Sequence, residues 1–117
     1  MSDWNASDAD WQDATILRQA AVKHDESKAQ HDLIPVEAVE ALAAVLTFGA
    51  RKYSPRNWEN GFRWGRVFSA LMRHLWAWWA RRGNDPETGY SHLWHALCCL
   101  AFLVAFEARG TGEDDRP

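Results

Sequence analysis

Two cysteines in 117 residues, adjacent at Cys98 and Cys99, leave no room for a disulfide framework. The pair lies inside an apolar run and reads as small core residues in a reducing compartment. No stretch alternates polar and apolar residues in the manner of a half-buried strand, which removes sheet architectures. Long hydrophobic runs are also missing. The run over 96–106 is shorter than the roughly 20 residues a spanning helix needs. With no signal peptide visible, the sequence predicts a cytoplasmic chain with no membrane partner. Basic residues are scarce at both ends, where Asp3, Asp8, Asp10 and Asp13 open the chain and Glu113, Asp114 and Asp115 close it. A formal net charge of −3 argues against a nucleic acid polymer as partner.

What the sequence does have is apolar bulk and tryptophan. At 47% hydrophobic and 25% charged it is globular, and its length suits one domain. Eight tryptophans are more than one small core hides, so some are expected at a pocket or subunit interface. Between residues 50 and 82 the charge reverses: Arg51, Lys52, Arg56, Arg63, Arg66, Arg73, Arg81 and Arg82 face only Glu59. One basic segment in an acidic chain suits a small phosphorylated ligand.

The pattern predicts an all-α fold. Residues 1–22 read as an acidic arm with a possible short helix over 14–22, and residues 23–32 as a polar loop. Pro35 suits a first helical turn, and the helix it opens runs to about Lys52. Pro55 and Asn60-Gly61 mark a loop. A second helix is expected over 64–82, with Val67, Leu71, Leu75 and Trp78 on one stripe. A turn over 83–89 leads to a third helix over 90–109, closed by Gly110. Residues 111–117 are expected to be a disordered tail. Three helices this apolar argue for a homodimer or homotetramer.

Three groups of polar residues interrupt the apolar helices, and a fourth lies in the turn over 83–89. Glu37 and Glu40 are almost the only polar residues of the first helix, three apart on one face and roughly 5–6 Å from each other. Like charges so placed in an apolar helix ask for a divalent cation, Mg²⁺ or Mn²⁺ by their oxygen donors. They fit equally a solvent stripe of an ordinary helix. His92 and His95 repeat the spacing and could ligate Mn²⁺, or hydrogen-bond to phosphate. Arg73-His74 lies mid-helix, where the arginine needs a phosphate or a carboxylate such as Glu37 or Glu40. Asp85 and Glu87 flank Pro86, either as a helix N-cap or at the rim of a metal site. Lys23, Lys28, Lys52, Tyr53, Asn57 and Trp58 are loop residues of binding type. The lysines suit phosphates, and an Asn beside a Trp can read and stack on a base.

Taken together, Leu33-Ile34-Pro35, Glu37, Phe48-Gly49-Ala50-Arg51-Lys52-Tyr53, Asn57-Trp58, Gly61, Arg73-His74, Asp85-Pro86-Glu87-Thr88-Gly89 and His92-Leu93-Trp94-His95-Ala96 resemble a known family. It is that of the phage dATP/dGTP diphosphohydrolases, the MazZ-like enzymes of the all-α MazG-like nucleoside triphosphate pyrophosphohydrolases. The resemblance covers about residues 23–109. It implies an oligomeric helical domain that cleaves a purine deoxynucleoside triphosphate to monophosphate and pyrophosphate. The wider superfamily carries E-x-x-E on one helix and E-x-x-D on a later one. Glu37-x-x-Glu40 matches the first. The second has no match, and His92-x-x-His95, preceded by Asp85 and Glu87, stands nearest to it.

The resemblance therefore implies Glu37 and Glu40 as catalytic residues and metal ligands, assisted by Asp85 and His92, with Mg²⁺ or Mn²⁺. Lys23, Lys28, Lys52 and Arg73 would hold the phosphates, Tyr53, Asn57 and Trp58 the base or sugar, and His74 and His95 other parts of the substrate. Two other functions fit the residues. The dipeptides His24-Asp25 and His31-Asp32 suggest an HD-type enzyme that releases whole triphosphate. A non-catalytic helical nucleotide-binding module would use the same acids and histidines structurally.

Overall fold

The computed structural model describes residues 20–117. The chain divides into two compact units, Met1–His31 and Asp32–Pro117. In the first, the Lys28 amide donates to the Asp25 carbonyl at 3.0 Å. The helix expected over 14–22 falls mostly outside the described residues, and residues 20–22 are not helical.

The second unit is all-α, with three helices among the described residues: α1 (Val36–Lys52), α2 (Trp64–Trp79) and α3 (His92–Arg109). Helix α3 packs against both others, most extensively against α2. The core is small. It consists of Ala41 and Val45 from α1, Val67, Leu71 and Ala77 from α2, and Ala96, Cys98 and Phe106 from α3. Residues four apart, such as Val67 and Leu71, share a helical face and reach the core together. The stripe expected to continue through Trp78 stops earlier, because Trp76, Trp78 and Trp79 are exposed. By length and composition α3 is apolar enough to cross a membrane. Within it Ala96, Cys98 and Phe106 are buried, while Leu93, Leu100 and Val104 remain exposed.

Local chemistry sets the helix ends. The Ser91 hydroxyl accepts from the Leu93 amide, so α3 starts at His92 and not at Tyr90. Gly110 closes it at φ 68°, with its amide on the Phe106 carbonyl. Helix α2 stops short of Arg82 because Arg81 turns left-handed at φ 57°. The Arg82 amide then reaches the Ala77 carbonyl at 3.0 Å and the Arg81 amide the Trp78 carbonyl at 3.1 Å, a Schellman closure on a non-glycine residue.

The tail expected to be disordered is instead bound along residues 62–65. The Trp64 amide donates to the Glu113 carbonyl at 2.9 Å and the Glu113 amide to the Phe62 carbonyl at 3.2 Å. The Trp64 indole donates to the Thr111 carbonyl at 2.9 Å. Arg63, the N-cap of α2, offers no side-chain cap. The Asp115 carboxylate takes that role, accepting from the Gly65 amide at 2.7 Å. An acidic side chain at a helix N-terminus satisfies an orphan amide and the positive end of the helix dipole. One acidic side chain of the tail thus helps to dock it.

Candidate active site

Helix α2 carries His74 one turn beyond the buried Leu71, so its half-buried ring faces α3. On α3, His92 and His95 lie three apart on one face. The His74 ring stacks on that of His95 at 4.8 Å between centroids, tilted by 15°. Its Nδ1 lies 2.9 Å from Nδ1 of His92.

The turn before α3 brings in a carboxylate. Asp85 Oδ1 accepts from the Glu87 amide at 2.9 Å, the Thr88 amide at 3.0 Å and the Thr88 hydroxyl at 3.3 Å. The loop is closed by the Asp85 amide on the Tyr90 carbonyl at 2.8 Å. Asp85 thus caps its own turn, and the helix N-cap is Ser91.

His74, Asp85 and His92 each offer a ligand atom, all within 4.8 Å of one another. The donor set fits a divalent cation on three counts. Among the described residues Asp85 Oδ2 receives no hydrogen bond, while Oδ1 holds the turn. The two Nδ1 atoms, 2.9 Å apart, match the roughly 3 Å between neighbouring octahedral positions on an ion about 2.1 Å away. The protonation state also suits. Burial, followed by the adjacent imidazoles of His95 and His92, holds His74 below its ordinary 6.5. Burial would raise the Asp85 carboxyl, but the Thr88 and Glu87 amides overcome it and hold the group below 3.8. A neutral imidazole and an ionised carboxylate are the forms that bind metal.

Two cavities meet at His74. One, of about 590 Å³, is lined by Phe48, Tyr53, Asn57, Trp58, Phe62 and Phe102, with Lys52, Glu87, His74 and His95 adding polar groups. The other, of about 770 Å³, is lined by Arg73, His74, Arg82, Asn84, Asp85 and His92 among others. One is largely aromatic and of a size that takes a small organic ligand. The other holds the whole candidate metal cluster and two arginines.

The sequence-predicted residues divide accordingly. Lys52, Tyr53, Asn57, Trp58, His74 and His95 line the aromatic cavity together. Lys52, expected on phosphate, is bonded to Glu87 at 2.5 Å, which raises its pKa. Trp58, expected to stack on a base, already has partners within the chain. Phe102 stacks on it at 4.8 Å and the Arg109 guanidinium lies over it at 5.3 Å. Arg73 lines the second cavity and donates to Ser69 Oγ at 3.0 Å. It makes no ion pair with Glu37 or Glu40, and both of those carboxylates are exposed and line neither cavity. An apolar helix predicted their burial, but α1 buries only Ala41 and Val45. Lys23 and Lys28 are exposed residues of the first unit. His74, expected among substrate contacts, also belongs to the candidate metal cluster. Sequence reading counted Arg82 in the basic segment without singling it out, and Thr88 was visible only as part of the Asp85–Gly89 string.

Fold and site define an all-α bundle with a His–Asp–His cluster between an aromatic and a basic cavity. The family model described as "dATP/dGTP diphosphohydrolase, N-terminal" matches residues 18–116, and the chain belongs to that family. A protein of Salmonella phage PMBT28 named "dATP/dGTP diphosphohydrolase" is 34% identical over 95 residues, 81% of this chain and 32% of that protein. The chain therefore spans about a third of the length of this curated relative. No solved structure matches the chain.

Proposed function

We propose that this domain hydrolyses purine deoxynucleoside triphosphates, dATP and dGTP, to monophosphate and pyrophosphate, with Mn²⁺ or Mg²⁺ held by His74, Asp85 and His92. The observation that carries this is the placement of that cluster beside Arg73 and Arg82, with His74 also lining an aromatic cavity. The geometry suits a nucleotide: charge-neutralising groups on one side, apolar walls on the other. Two imidazoles in the donor set favour Mn²⁺ over Mg²⁺. When bound, the ion would neutralise phosphate charge and lower the pKa of a water. Arg73 and Arg82 would stabilise the charge developing on leaving pyrophosphate. Tyr53 and Asn57 would meet the base or sugar, while Trp58, packed on Phe102 and Arg109, shapes the wall. Lys52 would turn to phosphate by exchanging its Glu87 partner, and Lys23 and Lys28 remain further candidates for the same task.

Glu37 and Glu40 belong to an assembled form in this reading. Ile34, Val36 and Val39 around them are 51%, 60% and 51% exposed, and Trp76, Trp79 and Val104 are exposed as well. Apolar surface on that scale marks interfaces. A homodimer or homotetramer covers it and brings the two carboxylates to act as catalytic groups and additional ligands. The domain works in the cytoplasm on free nucleotide, without membrane or nucleic acid polymer.

The His–Asp–His donors, in place of a wholly carboxylate set, favour one second reading, release of whole triphosphate. Product analysis decides. The protein is incubated with each of the four deoxynucleoside triphosphates and Mn²⁺ or Mg²⁺, and products are resolved by ion exchange. Monophosphate plus pyrophosphate, lost in His74→Ala, supports the proposal. Nucleoside plus triphosphate supports the second reading, and no turnover leaves a binding module.

A further inference from the structure

We propose that Thr88 is a positioning residue for this site: its hydroxyl joins Asp85 to His95, fixing the carboxylate of one and the ring of the other. The role rests on the metal-dependent reading above. Thr88 lies half-buried in the turn before α3. Its Oγ1 is 2.7 Å from His95 Nε2 and 3.3 Å from Asp85 Oδ1, and it accepts from the Tyr90 amide at 3.1 Å. His95 Nε2 and Asp85 Oδ1 are 4.0 Å apart, too far for a direct hydrogen bond. The hydroxyl is therefore the link between them.

A hydroxyl has one proton to give. An ionised carboxylate is the stronger acceptor on offer, since charge-assisted hydrogen bonds are roughly twice as strong as neutral ones. The chain then runs from His95 Nε2–H to Thr88 Oγ1, and from Thr88 Oγ1–H to Asp85 Oδ1. It fixes His95 as the Nε2–H tautomer and leaves its Nδ1 as the acceptor. It also has reach. Asp85 Oδ1 is held, so that Oδ2 keeps its direction as a candidate ligand. The His95 ring, once fixed, is the surface on which the His74 ring stacks at 4.8 Å. One side chain, itself no ligand, thereby orients two of the three donors. Partners of this kind change metal affinity by roughly 10- to 100-fold.

The test uses Thr88→Val, which keeps the branched shape and the backbone amide on Asp85 while removing the hydroxyl, and Thr88→Ser, which restores it. Imidazole ¹⁵N–¹H correlation spectra are taken on the metal-free protein, with His95→Gln to assign the signal. Mn²⁺ titration is a second, separate readout. We expect His95 protonated at Nε2 in wild type and Thr88→Ser, and a mixture of tautomers in Thr88→Val. Mn²⁺ affinity should fall about tenfold in Thr88→Val and recover in Thr88→Ser. A Thr88→Val protein with wild-type spectra and wild-type Mn²⁺ affinity overturns the proposal, as does His95 protonated at Nδ1 in wild type. A wild-type protein that binds no Mn²⁺ refutes the metal reading, while the tautomer result still decides the link.

Discussion

Replacing Asp85 by asparagine separates the two tasks of its carboxylate. Oδ1 holds the turn through the Glu87 and Thr88 amides at 2.9 and 3.0 Å, and an amide carbonyl can accept both bonds. Oδ2 would become an NH₂ group, which donates and cannot ligate a cation. Hydrogen bonds to a charged acceptor contribute about 1.5–3 kcal/mol and neutral ones about 1 kcal/mol. With Asp85 only 17% exposed at its side chain, the loss of charge should cost stability about 1–2 kcal/mol. In a domain of this size that is a fall in Tm of roughly 5–15 °C. Metal affinity should suffer more. Outer partners of metal ligands already account for 10- to 100-fold, so loss of the only anionic donor in the cluster should weaken Mn²⁺ binding by about 100-fold or more, near 2.7 kcal/mol. Isothermal titration with Mn²⁺ at neutral pH reads the second quantity and thermal unfolding of the metal-free protein the first. A folded Asp85→Asn protein with wild-type Mn²⁺ affinity would refute the assignment of Asp85 as a ligand.

Three further outcomes follow from the fold. Gly112→Ala should lower stability by about 2 kcal/mol or more, because φ is 77° and an added Cβ would collide with the Phe62 carbonyl. Thermal melts check it, and an unchanged Tm would mean the tail is not docked. Arg81→Gly should raise stability by up to about 1 kcal/mol, by relieving the left-handed strain at φ 57°; denaturant unfolding reads the shift, and a loss of stability would contradict the Schellman closure. His74 and His95 both lie below the ordinary 6.5, first through burial. A histidine with a depressed folded pKa contributes stability above its unfolded value, and that stability is lost as pH falls below 6.5 toward the folded value. The metal-free protein should therefore lose Tm between about pH 7 and 5, and a His74→Gln, His95→Gln variant should lose less. Equal slopes would contradict the burial of these rings.

The helices were legible because their signals are local. Apolar period, Pro35, Gly110 and the Asn-Gly turn each act within a few residues, and all three helices lie where those signals put them. The ends that moved did so for reasons a pattern does not carry: Ser91 accepting one amide, and Arg81 adopting a glycine-like conformation. The tail was misread because an acidic segment without hydrophobic period looks solvated. Its docking depends on the N-terminus of a helix some fifty residues back, with Asp115 on Gly65. At the site, the aromatic cavity was legible as residue types, since Lys52, Tyr53, Asn57 and Trp58 follow one another at the end of α1. Of the candidate metal cluster, Asp85 and His92 were legible as possible ligands but His74 only as a substrate contact, because the three come from two helices and a turn and meet only when α2 packs on α3. Glu37 and Glu40 carried the stronger sequence signal, yet lie exposed in the single chain.

The measurement that bears most directly on this account is pulsed EPR of Mn²⁺ bound to the full chain, read for coupling to imidazole ¹⁴N. The account predicts two coupled histidine nitrogens, reduced to one in His74→Ala and in His92→Ala, and unchanged in His24→Ala and His31→Ala. Bound Mn²⁺ with no ¹⁴N coupling, or coupling that survives loss of His74 and His92 together, would contradict it and return the metal to the carboxylates of α1.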